Sequence, residues 1–407
     1  MGPLDGEKFC FAIQRHPLIN IPAPAGRTKR SEDRDHLTQA MKIALLCNIR
    51  PVDASLGNAD DTFEEHDSEE TIESIRTALR GLGAMVEPVA ADRDLPARLE
   101  NGGYDFAFNI AEGAGRRCRE AIAVAVCELV GLPFTGSDML TLGITLDKSV
   151  ARRVVSPEVT VARGFLVENR GDHVDLAALR YPVLVKPNDE GSSKGIRDGP
   201  IAFDVAGAVE RCARLQECYG CPVLVEEFLG GPEVTIGVAG NGREARVIGM
   251  MEIASPCDDR SFVYSLEVKR DWLRRARYHQ PPRLTAETIA ALELSALTAY
   301  RLLGCRDIAR FDFRLDTGGQ PHFLECNPLP GLNPLSGDIV ILSQATLGYE
   351  KLVQGILIDA LHRVERSYGN ATALSRVRRK ECDGAPKNRK TRKSFLQSIP
   401  KNLLRIT

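Results

Sequence analysis

DIARFDFRLDTGGQPHFLECNP, residues 307–328, decides how this chain folds. Two strand-like runs flank TGGQ (317–320), which has the composition of a hairpin turn. Side chains alternate along a strand, so Arg310 and Asp312 share one face of the first run. Glu325 and Asn327 stand in the same relation on the second. If the two runs pair through the turn, Asp312, Glu325 and Asn327 converge. Two carboxylates and an amide oxygen are hard ligands suited to Mg²⁺. The alternative is a polar face turned to solvent. The apolar residues around these groups argue against it, because charges set among buried side chains need partners.

Upstream, KPNDEGSSKG (186–195) combines two lysines with a Gly-Ser loop, a composition that turns backbone N–H groups and positive charge toward an anion. The phosphate loop G-x-x-x-x-G-K-[ST] does not occur in the chain. Lys148 and Lys186 each follow a structured stretch and are suited to phosphate. VLVEEFLGGPE (223–233) presents Glu226 and Glu233 with Phe228 and Leu229 between them. A strand running into such a turn offers backbone groups to adenine, and Glu233 can accept hydrogen bonds from ribose hydroxyls. Taken together these segments describe an ATP site between two subdomains, built without a P-loop.

The rest of the chain supplies the frame. Its 407 residues exceed one ordinary core, so two or three domains are expected. A hydrophobic share of 43% and a charged share of 27% are those of a globular protein. The net charge of -2 gives no global attraction to nucleic acid or anionic lipid. No apolar run reaches membrane-spanning length, and the N-terminus, without a basic region followed by an apolar core, reads as a poor secretory signal. Eleven cysteines, an odd number, fit reduced cytoplasmic thiols better than a disulfide framework. Cys218 and Cys221 form a C-x-x-C that reads as two thiols near a helix-to-strand turn, in preference to a redox or zinc motif.

MKIALLCNI (41–49) reads as a buried first strand, preceded by an extension over 1–40 expected to be disordered. DSEETIESIRTALRGLG (67–83) reads as a helix capped by Asp67 with Glu70 as capping-box partner, its stripe formed by Ile72, Ile75, Leu79 and Leu82. AMVEPVAA and YDFAFNIA are further strands, and 119–130 a helix. This alternation argues a parallel α/β domain over 41–147. Beyond it, strand-like runs follow one another with helices expected over 204–217, 286–303 and 346–365, an α+β body in two parts, 148–230 and 231–366. From Arg366 onward there are twelve Lys or Arg against two acids. This basic tail (367–407 as a segment) is expected to be disordered, with an arm for nucleic acid or another acidic surface as the functional alternative.

In order, the chain carries GLPFTGS, then DK (147–148), LVKPNDEGSSKG, VLVEEFLGGPEVT, GCRDIARFDF and LECNPLPGL. From about Met41 to about Arg366 it resembles the ATP-grasp carboxylate–amine ligases, most closely the D-alanine–D-alanine ligase family. The resemblance implies an α/β domain followed by an α+β body: an ATP-grasp fold with an N-terminal Rossmann-like domain. It implies that Lys148 and Lys186 bind ATP phosphates and that residues 190–195, with Gly191 and Ser193, close over them. Glu226, Glu227 and Leu229 would hold adenine, with Phe228 and Leu324 nearby, and Glu233 the ribose. Asp312, Glu325 and Asn327 would bind two Mg²⁺ ions, with Mn²⁺ as an alternative. Arg310 would face the oxyanion of the tetrahedral intermediate and Lys269 the γ-phosphate, and the lid's Ser192 would join them as a catalytic residue. Gly331 and Ser336 match positions around the amino-acid substrates, and Glu64 the acid that receives the first substrate's amino group. A dimer is also implied.

Three residues depart from the family pattern. Glu112, in EGAGRRCRE, stands where a histidine is usual. Lys194 occupies an apolar position of the lid, and Arg270 follows Lys269 where a tyrosine is usual. Glu112 and Arg270 are therefore expected to face the substrates and to alter their choice. The expected reaction joins the carboxylate of one amino acid to the amine of another through an acyl phosphate, as in cell-wall dipeptide synthesis. The alternatives are a ligase for other amino acids or small peptides and a non-catalytic nucleotide-binding protein.

Overall fold

A computed structural model describes residues 41–49 and 66–368, apart from Arg116, Ser192, Asp198, Asp258 and Arg260. The expected extension over 1–40 and nearly all of the basic tail lie outside the described residues, as does Glu64. The first sheet is parallel, ordered β2-β1-β3, with β1 Lys42–Cys47, β2 Met85–Ala90 and β3 Phe106–Asn109. Helices α1 Glu69–Arg80, α2 Leu95–Asn101 and α3 Ala121–Val130 alternate with these strands. Both faces of β1 are buried, which is why it reads as one apolar run. Ile43 and Leu45 pack with Ile75 and Leu79 of α1, while Ala44 and Leu46 pack with Leu95 and Val124 on the other side. The helix α1 is capped one residue later than its sequence suggests. Ser68 accepts from the Thr71 N–H at 3.2 Å, while the Asp67 N–H donates to the Asn48 carbonyl just past the end of the central strand β1.

Two helices that the sequence reading left unassigned follow: α4 Met139–Leu146 and α5 Lys148–Val155. Asp147 divides them, and its carboxylate accepts from the Val150 N–H to cap α5. An antiparallel sheet comes next, with β4 Gly164–Val167, β5 Val183–Pro187, β6 Ile201–Ala202, helix α6 Val205–Tyr219 and β7 Val223–Glu227, ordered β4-β7-β5-β6. Cys218 and Cys221 flank the left-handed Gly220 that ends α6.

The largest sheet holds β8 Glu233–Gly240, β9 Arg246–Ala254, helices α7 Leu266–Arg270 and α8 Trp272–Arg275, then β10 Arg277–His279. Helix α9 Ala286–Leu302 precedes β11 Asp307–Leu315 and β12 Pro321–Asn327. The sheet order is β10-β9-β8-β11-β12. Helices α10 Asp338–Ser343 and α11 Tyr349–Tyr368 complete the described chain. The last helix runs past the expected end of the folded part, and Arg366 within it pairs with Glu244. No helix among the described residues is long and apolar enough to cross a membrane.

Alternation on β11 sorts its side chains. Ala309, Phe311 and Phe313 enter a core with Leu292 and Ala296 of α9, leaving Arg310, Asp312 and Arg314 on the opposite face. The hairpin turn is closed by Asp316, whose carboxylate accepts from the Gly318 and Gln320 N–H groups. The ladder then slips. Phe313 pairs with Phe323 but Asp312 with Glu325, so Leu324 is the extra residue of a bulge. Strict alternation would send Glu325 into the core with Phe323; the bulge turns it out beside Asp312.

A second local device seats α10. Gly237 and Gly249 face each other across β8 and β9, and the helix lies directly on them. A Cβ at Gly249 would come within 2.3 Å of the Leu342 carbonyl oxygen. Gly249→Ala is therefore expected to destabilise the fold by about 1–3 kcal/mol, as overpacking of a filled core does. Urea unfolding would show this as a lower midpoint at unchanged slope.

Candidate active site

A cleft of about 880 Å³, including the space at its mouth, opens between the two antiparallel sheets. Lys186 and Glu226 line it from one sheet, Arg310, Asp312 and Glu325 from the other. Lys186 Nζ lies 2.6 Å from Glu226, and Arg152 of α5 approaches the second oxygen at 2.9 Å. Burial opposes the charge on Glu226, yet Lys186 and Arg152 hold its carboxyl below the usual range. Lys148 is the first residue of α5, and its ammonium donates to the Glu190 carbonyl and lies 3.4 Å from Glu325. Asn188 fixes that helix start: its side chain accepts from Ser149 N–H and donates to Asp147, and its carbonyl accepts from Lys148 N–H. Sequence reading found the lysine and missed this clamp.

The Gly-Ser loop is docked as a lid. Ser193, at φ +58°, donates to the Tyr264 carbonyl at 3.1 Å. Lys194 pairs with Glu190 at 2.6 Å, and the Leu266 N–H donates to the Ile196 carbonyl, tying the loop to α7. Gly191 belongs to the same loop, while Ser192 lies outside the described residues. Lys269 of α7 lines the cleft and is the only lining cation without an acidic partner among the described residues. Arg270, next to it, is exposed at the helix end and does not line the cleft.

At the other end, Glu227, Phe228, Leu229 and Leu324 line the wall. The Glu227 carboxylate is engaged by Arg180 at 2.7 Å. Arg314 organises this end: it donates to the Leu229 carbonyl, stacks 4.6 Å over the Phe228 ring and pairs with Glu233 at 3.2 Å. Burial pushes the Glu233 carboxyl up to about 7 against the pull of Arg314.

The hairpin carries the densest charge. Arg310 donates to Asp312 through Nη2 at 2.8 Å and Nε at 3.2 Å, and lies 3.4 Å from Glu325. Thr235 donates to the other oxygen of Asp312 at 2.8 Å. Burial raises the Asp312 carboxyl more than Arg310 lowers it. Burial also works against Glu325, but Lys148, Arg310 and Lys186 outweigh it and hold that carboxyl at about 2. Asn327 lies opposite Arg310, but its side-chain oxygen accepts from the Leu329 N–H and it does not line the cleft. Gly331 and Ser336 are exposed in the loop after β12, and Glu112 is half-buried on the loop after β3. The sequence reading gave no role to Arg152, Asn188, Tyr264, Arg314 or Asp338.

Opposed lysines and carboxylates between two antiparallel sheets, under a Gly-Ser lid, define an ATP-grasp ligase. Its solved neighbours share that fold: D-alanine–D-alanine ligase from Bacillus anthracis, complexed with ATP, superposes with a TM-score of 0.62 at 21% identity over 81% of this chain and 99% of that one. The VanG D-Ala:D-Ser ligase from Enterococcus faecalis does so with a TM-score of 0.58 at 20% identity, over 79% and 100%. Residues 159–358 match the family described as D-ala D-ala ligase C-terminus. The D-alanine–D-alanine ligase of Geobacter sulfurreducens is 34% identical over 290 residues, 70% of this chain and 87% of that protein. The chain belongs to the D-alanine–D-alanine ligase family, whose members are ATP-dependent carboxylate–amine ligases.

Proposed function

We propose that the cleft binds ATP and Mg²⁺ and joins the carboxylate of one amino acid to the amine of a second. The observation that carries this reading is the opposed pair Asp312 and Glu325, held within reach of Lys148 and Arg310. Among the described residues no three His, Cys, Asp or Glu side chains form a metal cage. Mg²⁺ bound between substrate phosphates and one or two carboxylates requires none, so the donor set fits the ion. Asp312 and Glu325 would hold it, with Asn327 alongside, and it would neutralise phosphate charge.

Lys148 and Lys186 would hold phosphate oxygens, and Lys269, with no acid to neutralise it, is free to meet the transferred γ-phosphate. Phe228, Leu229 and Leu324 would cover adenine. A carboxylate is a poor electrophile until phosphorylated. The docked lid would keep water from the acyl phosphate, and Arg310 would face the oxygen that gains charge as the amine attacks. The chain would work in the cytoplasm, where ATP is available and its thiols stay reduced, as a homodimer on small-molecule substrates.

Phosphate release from ATP and Mg²⁺, measured over D- and L-amino acids singly and in pairs, tests the reading. Release is expected to require a pair, with D-alanine accepted among the first substrates. No pair-dependent release would overturn it. Arg270 stands beside Lys269 where the family pattern has a neutral tyrosine, but its side chain is exposed at the helix end and does not line the cleft. Arg270→Tyr is therefore expected to leave the kcat/KM ratio of D-alanine to larger or acidic second substrates nearly unchanged. A ratio shifted by about tenfold or more, roughly 1.4 kcal/mol, would bring Arg270 within the substrate's reach.

A further inference from the structure

Arg310 has more acid around it than the metal site requires. Its Nε and Nη2 edge is taken by Asp312, and its remaining Nη1 lies 3.2 Å from Asp338, the first residue of α10. The Asp338 side chain is 5% exposed, and it lines the cleft. A buried carboxylate at this position costs free energy, so a single cation shared among Asp312, Glu325 and Asp338 leaves negative charge in excess. Lys148 offsets Glu325, and a bound cation would offset Asp312. Arg310 and Asp338 then remain as an adjacent pair of opposite charges at the reacting end of the cleft.

That pair matches what arrives there. The attacking group enters as an ammonium at neutral pH, and the oxygen of the carbon it attacks gains negative charge. Arg310 suits the second and Asp338 the first. The position of Asp338 is set by packing. The helix rests on the Gly237–Gly249 pair, and a Cβ at Gly337 would come within 2.5 Å of the Gly331 carbonyl. Opposite stands Tyr264, whose hydroxyl is 2.5 Å from that of Tyr278; burial and then the Asp338 charge raise both phenols. They stay neutral and bring no charge of their own to the site.

We propose that Asp338 holds the ammonium of the amine substrate beside Arg310 and makes this ligase select amines as nucleophiles. The proposal rests on the ligase reading above. Before attack the ammonium gives one proton to the Asp338 carboxylate. The nitrogen lone pair then forms the C–N bond as the C–O bond to phosphate breaks; phosphate carries away that electron pair and takes the second proton from the nitrogen, leaving the amide N–H.

The competing role is support of Arg310 alone, and the two separate by experiment. Asp338→Asn keeps an oxygen that can accept from Arg310 but removes the charge. It is expected to raise KM for the amine substrate at least about tenfold, with KM for ATP changed less than about twofold. It should also narrow the preference for an amino acid over its 2-hydroxy analogue by about tenfold. Loss of kcat with that preference unchanged would reduce Asp338 to a support for Arg310 and overturn the proposal. If Asp338→Asn does not fold, Asp338→Glu retains the charge one methylene away. It should then raise KM for the amine while keeping the preference, and a lost preference would overturn the proposal. The parent enzyme in the same assay separates the two claims: pair-dependent phosphate release there supports the ligase reading whatever Asp338 does.

Discussion

Glu325→Gln is expected to lower turnover by at least about a hundredfold while the protein remains folded. Glu325 is charged throughout the neutral range, held at about 2 by Lys148, Arg310 and Lys186 against its burial. The amide has the same shape, so the change removes one full charge facing the proposed Mg²⁺ ion and little else. Losing a single group that meets charge in a transition state costs about 2.7–4 kcal/mol. Folding is buffered because Lys148 keeps its bond to the Glu190 carbonyl and Arg310 keeps Asp312 and Asp338. The measurement is kcat for pair-dependent phosphate release at saturating Mg²⁺, beside a urea melt. Near-normal turnover would remove Glu325 from the metal site.

Arg310 carries the second large expectation, and here activity and stability should separate. Arg310→Met leaves Asp312, Asp338 and Glu325 without their common cation. Breaking a buried ion pair from one side costs about 3–5 kcal/mol, so this variant should unfold at markedly lower denaturant. Arg310→Lys keeps the charge but cannot bridge Asp312 and Asp338 with separate edges of a planar fork. It should lose most of the activity, about 10²–10³-fold in kcat, with a smaller loss of stability. A fully active Arg310→Lys variant would mean that a point charge suffices and that the geometry of the fork is not used in the reaction.

The hairpin was legible because two strong local signals agree there: alternation along both runs and a Gly-Gly turn between them. The lysines and the Gly-Ser loop were legible for the same reason, since unusual residues stand at the ends of apolar runs. What supports them was hidden. Asn188 looks like a turn residue in KPNDEG, yet it clamps the start of α5 through contacts about forty positions back in the chain. Asp338 sits inside SGDIVILS, where a lone acid before an apolar run reads as the start of a helix. Only tertiary structure sets it against Arg310. Asp67 looked like the better cap for α1, but its backbone joins the chain leaving the central strand β1 and Ser68 took the role. The bulge at Leu324 has no signature in PHFLECN, and the period-two reading set the two acids opposite each other without the irregularity that presents them.

That bulge makes the chain's sense of inside and outside depend on counting. Upstream of Leu324, odd-numbered positions of β12 serve packing; just downstream, the odd-numbered Glu325 lines the cleft. A substitution at 324 alters the wall of the cleft and nothing else in the ladder. Deleting the residue would set Glu325 directly after Phe323, and plain alternation would then keep Glu325 opposite Asp312 on the cleft side and Cys326 in the core. The hairpin should therefore accept many side chains at 324 and even the loss of that residue, and its exposed turn at 317–320 can grow or shrink without disturbing the order beyond it. Among relatives, a chain one residue shorter between Phe323 and Glu325 would present the same pair of acids without the bulge.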